Sequence, residues 1–146
     1  MAEVVAVNIS ERKGIRKHEV PYIELLPHHG IVGDAHAGDW HRQVSLLSYE
    51  KIEEFKARGA DVVNGSFGEN VVVSGFDLKS LPIGTRFRSG DVLLELTQIG
   101  KQCHAHCAIY HKMGDCIMPR EGVFCRVLEG GVIRPGDSID IVGQGD

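Results

Sequence analysis

The residues best suited to chemical reactivity lie in a short run rich in cysteine and histidine, Gln102-Cys103-His104-Ala105-His106-Cys107. A cysteine reacts and binds metals as the thiolate, and neighbouring positive charge lowers the pKa of its thiol. Lys101, and the two histidines when they are protonated, could supply such charge to Cys103. The sequence therefore indicates that Cys103 is a nucleophile, a sulfur carrier or a soft metal ligand.

Two other interpretations of the same cysteines stay open. Cys103 and Cys107 could be small buried apolar residues, as many cysteines are. Their spacing, flanked by histidines, also resembles half of a structural zinc site, which needs four ligands. The other two cysteines, Cys116 and Cys125, are nine residues apart and lack the short spacing that usually completes such a site.

A second segment that could form part of a functional site is the glycine-rich run Gly30-Ile31-Val32-Gly33-Asp34-Ala35-His36-Ala37-Gly38-Asp39. Glycines let a ligand approach the main chain and reach its amide donors. Asp34 and His36 could contact that ligand, and Arg42 could pair bidentately with a phosphate. The alternatives are a turn held by Asp34, a solvated His36 and a surface ion pair of Arg42.

A third segment, Gly65-Ser66-Phe67-Gly68-Glu69-Asn70, leads into a run of three valines. Glu69 and Asn70 could hydrogen-bond a ligand heterocycle at the entrance of this strand, or they could stabilise the turn itself. Trp40, the only tryptophan, is either a stacking face beside the glycine-rich run or a residue folded over the core.

The elements that must position these side chains are mostly strands. β-Branched and alternating apolar runs predict strands at residues 2–8, 20–26, 44–47, 69–74, 85–88, 92–97, 123–128 and 138–142. One helix is predicted after the N-cap residue Ser48 and ends near Gly59, and a second short helix is predicted over 104–113. This pattern predicts a mostly β (α+β) fold, a mixed, strand-rich closed barrel with one or two short helices, and one domain over residues 1–146.

Composition excludes some classes of partner. The net charge of −4 and the isoelectric point of about 6.0 provide no basic stripe for nucleic acid. The sequence opens without a basic segment followed by a long apolar run, so neither a secretory signal nor a membrane anchor is expected. The expected location is therefore the cytoplasm, where the cysteines are mostly reduced.

The order of these segments resembles the MOSC domain, the C-terminal module of molybdenum cofactor sulfurases, which also occurs alone in bacteria. The resemblance runs through almost the whole chain. Its markers are Gly30-x-x-Gly33-Asp34-x-His36-x-Gly38, Arg42-Gln43-Val44-Ser45-Leu46-Leu47, Gly68-Glu69-Asn70, Leu81-Pro82-Ile83-Gly84-Thr85, and Thr97-Gln98 followed by Cys103.

The resemblance implies a strand-rich barrel of the MOSC type, a pocket for a molybdenum-bearing pterin and an essential cysteine, which corresponds to Cys103. A soft thiolate suits molybdenum, either as a direct ligand or as the carrier of a persulfide. Arg42 is then expected to hold the phosphate of the cofactor, and Asn70 the pterin or the sheet edge beneath it. The cofactor-binding residues expected in all are Gly33, Asp34, His36, Arg42, Glu69, Asn70 and Lys101.

The function expected from the resemblance is that of a molybdenum cofactor-binding protein that carries sulfur or the cofactor. The alternatives are a molybdenum-dependent reductase of N-hydroxylated compounds that uses an external electron donor, and a structural zinc module for protein interaction. Cys103 precedes His104, whereas the cysteine of the larger reductases usually precedes proline. No motif for a Schiff-base lysine occurs, so covalently bound pyridoxal phosphate is not expected. The expected partners are a cysteine desulfurase, a cofactor biosynthesis protein or a recipient molybdoenzyme.

Overall fold

Eleven strands and one α-helix lie in the part of the chain that the structure, a computed structural model, describes: residues 2–12, 16–100 and 121–144. The helix α1 covers Tyr49–Ala57, and a 3-10 turn covers Leu78–Ser80. The strands are β1 (Glu3–Ile9), β2 (His18–Val20), β3 (Ile23–Leu26), β4 (Gly30–Ile31), β5 (Val44–Ser48), β6 (Val71–Ser74), β7 (Thr85–Ser89), β8 (Val92–Ile99), β9 (Val123–Glu129), β10 (Gly131–Ile133) and β11 (Asp140–Gln144).

Eight of these strands form one large sheet in the order β11-β7-β8-β9-β5-β6-β1-β2, and β10-β3-β4 form a small one. β5 and β6 run parallel and their neighbours run antiparallel, so the large sheet is mixed. It curls into a half-barrel. The segment before β11 hydrogen-bonds to β1, with the Val4 N–H donating to the Asp137 carbonyl at 2.8 Å. The mostly β, mixed fold predicted from the sequence is confirmed.

Helix α1 crosses from β5 to the loop that precedes β6, and its ends follow the sequence prediction. The Ser48 hydroxyl accepts a hydrogen bond from the Lys51 N–H and caps the first turn. Gly59, directly after the last turn, adopts a φ of +100°, a conformation that glycine reaches without a steric penalty. Ile52 and Phe55 lie on the buried face, so the predicted N-cap and glycine stop are confirmed.

Two apolar clusters lie on opposite faces of the large sheet. The inner cluster fills the curl of the sheet and includes Val4, Leu46, Val73, Leu94, Leu96, Val127 and Ile133. The outer cluster packs α1 onto the sheet and includes Leu47, Ile52, Phe55, Phe67, Val72 and Phe124. Val71 and Val73 face the inner cluster whereas Val72 faces the outer one, because alternate residues of a strand point to opposite faces.

The strand predictions differ from the structure at three places, one of which is the two-residue strand β4 (Gly30–Ile31), which was not predicted. The run predicted at 20–26 is two strands, because the chain turns at Pro21 and Tyr22. β10 was not predicted. It lies beside β3, and a Cβ atom at Gly130 would stand 2.5 Å from the Leu25 carbonyl oxygen, so glycine permits this close approach.

Several predictions fall outside the described residues. These are the second helix, predicted over 104–113, the candidate site residues Lys101 and Cys103, and their neighbours His104, His106 and Cys107. Within residues 2–12, 16–100 and 121–144, no helix has the length and apolar character that crossing a membrane requires.

Candidate functional site

A buried ion pair between Lys17 and Asp34 anchors the glycine-rich loop. The Lys17 Nζ atom lies 2.7 Å from the Asp34 Oδ1 atom, and the two side chains are 1% and 0% exposed. A buried charge pair is tolerated only when its remaining hydrogen-bonding positions are filled. The Asp34 carboxylate also accepts the backbone N–H groups of Ser10 and His36. The pair therefore connects the end of β1 and the start of β2 to the loop.

His36 lies on the outer side of this ion pair. Its Nδ1 atom is 3.0 Å from the Lys17 Nζ atom, while its side chain remains 39% exposed. Its backbone is held at both polar groups, because the N–H donates to Asp34 and the carbonyl accepts the Trp40 indole N–H at 2.8 Å. His36 is thus a partly exposed imidazole whose orientation is fixed by its contacts with Lys17, Asp34 and Trp40.

Arg42 lies between two aromatic rings. The centre of its guanidinium is 4.8 Å from the centroid of the Trp40 ring and 5.6 Å from that of Phe124. Rings at these distances stabilise a cation through their π faces. Within the described parts of the chain, the buried Nε atom of Arg42 has no hydrogen-bond partner, and no carboxylate lies within 4.0 Å of the guanidinium. Arg42 therefore retains the capacity to bind an anion.

The end of β8 is tied to the same loop. The Thr97 hydroxyl donates to the His41 carbonyl, and the His41 Nε2 atom lies 2.9 Å from the Gln98 Oε1 atom. The Gln98 amide donates to the Gly100 carbonyl, and the Gly100 N–H donates to Gly122 at 2.6 Å. The contacts therefore run continuously from His41, beside Arg42, to Gly100 and Gly122, which lie at the two ends of segment 101–121.

Glu69 lies beneath the loop that contains Gly65, with its carboxylate turned inward. The residue is 0% exposed, and its two oxygens accept the backbone N–H groups of Gly65 and Phe67 at 2.9 and 3.1 Å. Burial raises the pKa of this carboxyl from 4.5 to about 7, against the opposing effect of the backbone donors and of Lys17. Glu69 therefore shapes the turn, which was the structural alternative for this residue.

Asn70 joins three strands. Its amide oxygen accepts the Ser45 N–H and hydroxyl, and its amide nitrogen donates to the Asn8 carbonyl at 3.1 Å. It is 1% exposed. Because β5, β6 and β1 meet at these contacts, Asn70 fixes the start of β5, which begins two residues after Arg42, and is suited to a supporting role.

The raised pKa of Glu69 predicts a pH-dependent stability. The folded chain binds a proton between pH 4.5 and 7 that the unfolded chain has released, so the free energy of unfolding falls as the pH rises through this window. Across this window the free energy of unfolding is expected to fall by about 3 kcal/mol at most, because each pKa unit corresponds to 1.36 kcal/mol. Urea unfolding of the wild type and of Glu69→Gln across this range measures it as the difference between the two curves.

A matched control for that experiment is Glu53→Gln, because Glu53 is exposed on α1. Its curve should run parallel to that of the wild type, whereas the Glu69→Gln curve should lose the downward slope. Parallel curves for all three proteins would show that Glu69 does not take up a proton on folding.

Of the predicted site residues, the structure brings Gly33, Asp34, His36 and Arg42 together on one loop, with Trp40 among them. Gly33 has a φ of +84°, and among the described residues no heavy atom lies within 4 Å of where its Cβ atom would stand. Glu69 and Asn70 lie below the loop with their side chains buried. Whether these residues contact a cofactor stays a prediction.

Lys17 was missed by the sequence analysis. It follows Arg12, Lys13 and Arg16 in a charged segment, which favours a solvated loop, and its contact with Asp34 is seen only in the structure. No local signal reports that contact, because it depends on how β1 and β2 pair.

Cys125 is the one cysteine in the described ranges, and it is a core residue. It is fully buried on β9, and desolvation, with a smaller effect from Glu95, raises the pKa of its thiol far above the ordinary value. A thiol in this state is not a nucleophile. Across the described ranges no group of three or more His, Cys, Asp or Glu side chains is arranged to hold a metal ion.

Comparison with known proteins gives a consistent family. The model of the MOSC domain matches residues 33–140. An uncharacterized protein of Bacillus subtilis (strain 168), YflK, is 28% identical over 101 residues, which are 64% of this chain and 43% of that protein. This chain therefore matches less than half the length of that curated relative.

Solved structures share the fold. YuaD of Bacillus subtilis superposes with a TM-score of 0.79 at 22% identity, covering 97% of this chain and 96% of that one. YiiM of Geobacillus stearothermophilus gives 0.73 at 20% identity, covering 98% and 76%. YiiM of Escherichia coli gives 0.70 at 19% identity, covering 100% and 72%. With the match of the domain model to most of its length, the chain belongs to the MOSC domain family, which is associated with molybdenum cofactor binding.

Proposed function

We propose that this protein binds the molybdenum cofactor along the loop from Gly33 to Arg42 (the site loop) and carries sulfur or the cofactor through Cys103. The main support for this proposal is the environment of Arg42. Its guanidinium lies between two aromatic rings, and its buried Nε atom has no hydrogen-bond partner among the described residues. Family membership supplies the class of ligand.

The described residues fit a pterin that bears a phosphate. Arginine presents its N–H groups as a fork that matches two oxygens of a phosphate. Arg42 has no carboxylate to compete for that fork among the residues that the structure describes. Trp40, which is half-buried beside Arg42, also offers an aromatic ring of the kind that suits a flat heterocycle. Arg42 would hold the phosphate and Trp40 would flank the ring system.

The remaining loop residues would shape and support the site. Gly33 leaves open space beside the backbone for a ligand to approach. His36 would offer its partly exposed ring, and Asp34 would hold that ring and the loop in place. Glu69 and Asn70 would act from below as supports, and Lys101 would favour the ionised form of Cys103.

Cys103 would provide the soft sulfur donor. It is the third residue after Gly100, whose carbonyl is bonded to Gln98 and so to the His41 side of the site loop. The bound cofactor would supply a molybdenum centre that accepts sulfur ligands. As a thiolate, Cys103 would either hold that centre or take up a sulfane sulfur.

Uptake of sulfur would follow thiol–persulfide exchange. The Cys103 thiolate attacks the outer sulfur of a cysteine persulfide on a donor protein, such as a cysteine desulfurase. A new S–S bond forms at Cys103 as the S–S bond of the donor breaks, and the donor leaves as its thiolate. No net oxidation takes place. A cofactor biosynthesis protein or a recipient molybdoenzyme would then be the downstream partner in the cytoplasm.

Replacing Arg42 tests the proposal. Arg42→Met keeps an apolar stem but removes the charge, and loss of a hydrogen bond to a charged group costs about 1.5–3 kcal/mol, or roughly 10- to 100-fold in affinity. Protein purified without oxygen from cofactor-producing cells is examined by native mass spectrometry for molybdenum-bearing pterin. The variant is expected to retain about a tenth or less of the wild-type occupancy.

Arg88→Met is the matched control. Arg88 already pairs with Glu129 at 3.2 Å in an exposed ion pair, so its loss should leave occupancy unchanged. Wild-type protein that carries neither pterin nor added sulfur, from cells that make the cofactor, would contradict the proposed function. Equal losses for Arg42→Met and Arg88→Met would contradict the role given to Arg42.

A further inference from the structure

We infer that the buried Lys17–Asp34 pair holds His36 as the neutral tautomer that carries its proton on Nε2. His36 then acts at the site loop as a hydrogen-bond donor. That the donor faces a pterin or its oxygens rests on the proposed function, whereas the tautomer itself does not. Lys17 and Asp34 are on this basis positioning residues of the site.

The Lys17 ammonium has one neighbour for each of its three protons. Its Nζ atom lies 2.7 Å from the Asp34 Oδ1 atom, 3.0 Å from the His36 Nδ1 atom and 3.3 Å from the Ser10 hydroxyl oxygen. A lysine ammonium has three donors and no acceptor. Each of the three neighbours therefore receives one of the three N–H groups.

The consequence for the imidazole follows from that donor. The Nδ1 atom of His36 must accept from Lys17, so it carries no proton. A neutral imidazole with a bare Nδ1 atom has its proton on Nε2. A doubly protonated ring would place an N–H group and a second positive charge against the Lys17 ammonium, which disfavours that state.

Asp34 does not take the role that a carboxylate usually has beside a histidine. Its Oδ2 atom accepts the His36 backbone N–H at 3.1 Å but stands 4.0 Å from the Nδ1 atom of the ring. In the more familiar arrangement, Nδ1–H donates to a carboxylate and leaves Nε2 as a base or a metal ligand. Here a cation lies between the carboxylate and the ring, and the polarity of the imidazole is reversed.

This reversed polarity decides what His36 can do. An imidazole with Nε2–H donates to electron-rich oxygens, such as those of a phosphate. It does not offer Nε2 as a base or as a metal ligand. His36 and Arg42 would therefore both act as donors along a loop that takes an anion.

The tautomer is measured directly by long-range ¹H–¹⁵N NMR of the imidazole rings, on full-length wild-type protein from cells that lack the cofactor, at neutral pH. His36→Gln identifies the His36 signals by their loss. We expect one bare Nδ1 and one protonated Nε2, whereas the exposed His28 should average between tautomers. Averaging at His36, a protonated Nδ1, or two protonated nitrogens would overturn the inference.

A pair of variants tests the donor. His36→Gln can place an amide N–H near the position of Nε2, whereas His36→Asn can replace only the Nδ1 acceptor for Lys17. With native mass spectrometry of molybdenum-bearing pterin as the readout, Gln is expected to keep occupancy within about 3-fold and Asn to lose about 10-fold, the effect of one hydrogen bond. Equal occupancy in the two variants would refute the donor role.

The proposed function and the tautomer of His36 can be contradicted independently of each other. A locked Nε2–H tautomer in a chain that never acquires pterin would remove the proposed function and leave the Lys17–His36 assignment standing. A His36 ring that averages between tautomers in a protein that does acquire pterin would do the reverse.

Discussion

Replacing Lys17 by methionine is expected to lower the free energy of unfolding by about 3–5 kcal/mol, because it leaves the Asp34 carboxylate buried without its counter-ion. Asp34 is 0% exposed at its side chain and would retain only two backbone donors, from Ser10 and His36. Methionine preserves most of the length and apolar stem of lysine, so packing changes little. Chemical denaturation monitored by tryptophan fluorescence measures the loss.

Lys56→Met provides the contrast for that experiment. Lys56 pairs with Glu53 on the surface of α1, with side chains 40% and 45% exposed, and its replacement should change stability by no more than about 0.5 kcal/mol. The double variant Lys17→Met/Asp34→Asn should be more stable than Lys17→Met alone, since no charge is left buried. A loss below about 1 kcal/mol for Lys17→Met would show that the pair does not support the loop.

Loss of molybdenum and of transferable sulfur is the expected result of Cys103→Ala, by on the order of 100-fold or more. This loss is at least as large as the greatest loss of metal affinity expected from replacing a residue that only supports a metal ligand. The proposal assigns to this residue the only protein atom that bonds the metal or the sulfur, so no neighbour can replace it. Anaerobic metal analysis and mass spectrometry of the intact protein measure both quantities at once.

Two other cysteines serve as controls. Cys125→Ala should lower stability by about 1 kcal/mol and leave metal content unchanged, because the Cys125 thiol is buried and un-ionised. Cys107→Ala separates a paired-thiol role, in which sulfur transfer falls, from a packing role, in which it does not. Full molybdenum and sulfur content in Cys103→Ala would contradict the assignment.

The fold could be predicted from the sequence wherever local pattern and tertiary packing agree. The three valines of β6 and the Ser48 cap of α1 are local signals, and each appears in the structure as predicted. The short strand β10 could not be predicted, because its pairing with β3 comes from contacts between distant segments. β4 pairs with β3 locally, but its two residues are too short a run to give a strand pattern.

The candidate site was predictable in part for the same reason. The glycines and polar residues between Gly33 and Arg42 are contiguous, so their proximity follows from the sequence alone. The burial of Lys17 does not, because it requires β2 to bring a charged segment against Asp34. Likewise, the sequence could place Glu69 and Asn70 at a strand entrance but could not decide which way their side chains turn.

The short hydrogen bond from Gly100 to Gly122 has a consequence for how such chains diversify. It joins the end of β8 to the start of β9, on either side of residues 101–121, so the pairing of these two strands extends as far as that segment. The entropy cost of closing a flexible loop rises by only about 0.6 kcal/mol for each doubling of its length. Because the two strand ends are already joined by this hydrogen bond, a longer chain between Gly100 and Gly122 is expected to change the stability of the large sheet little.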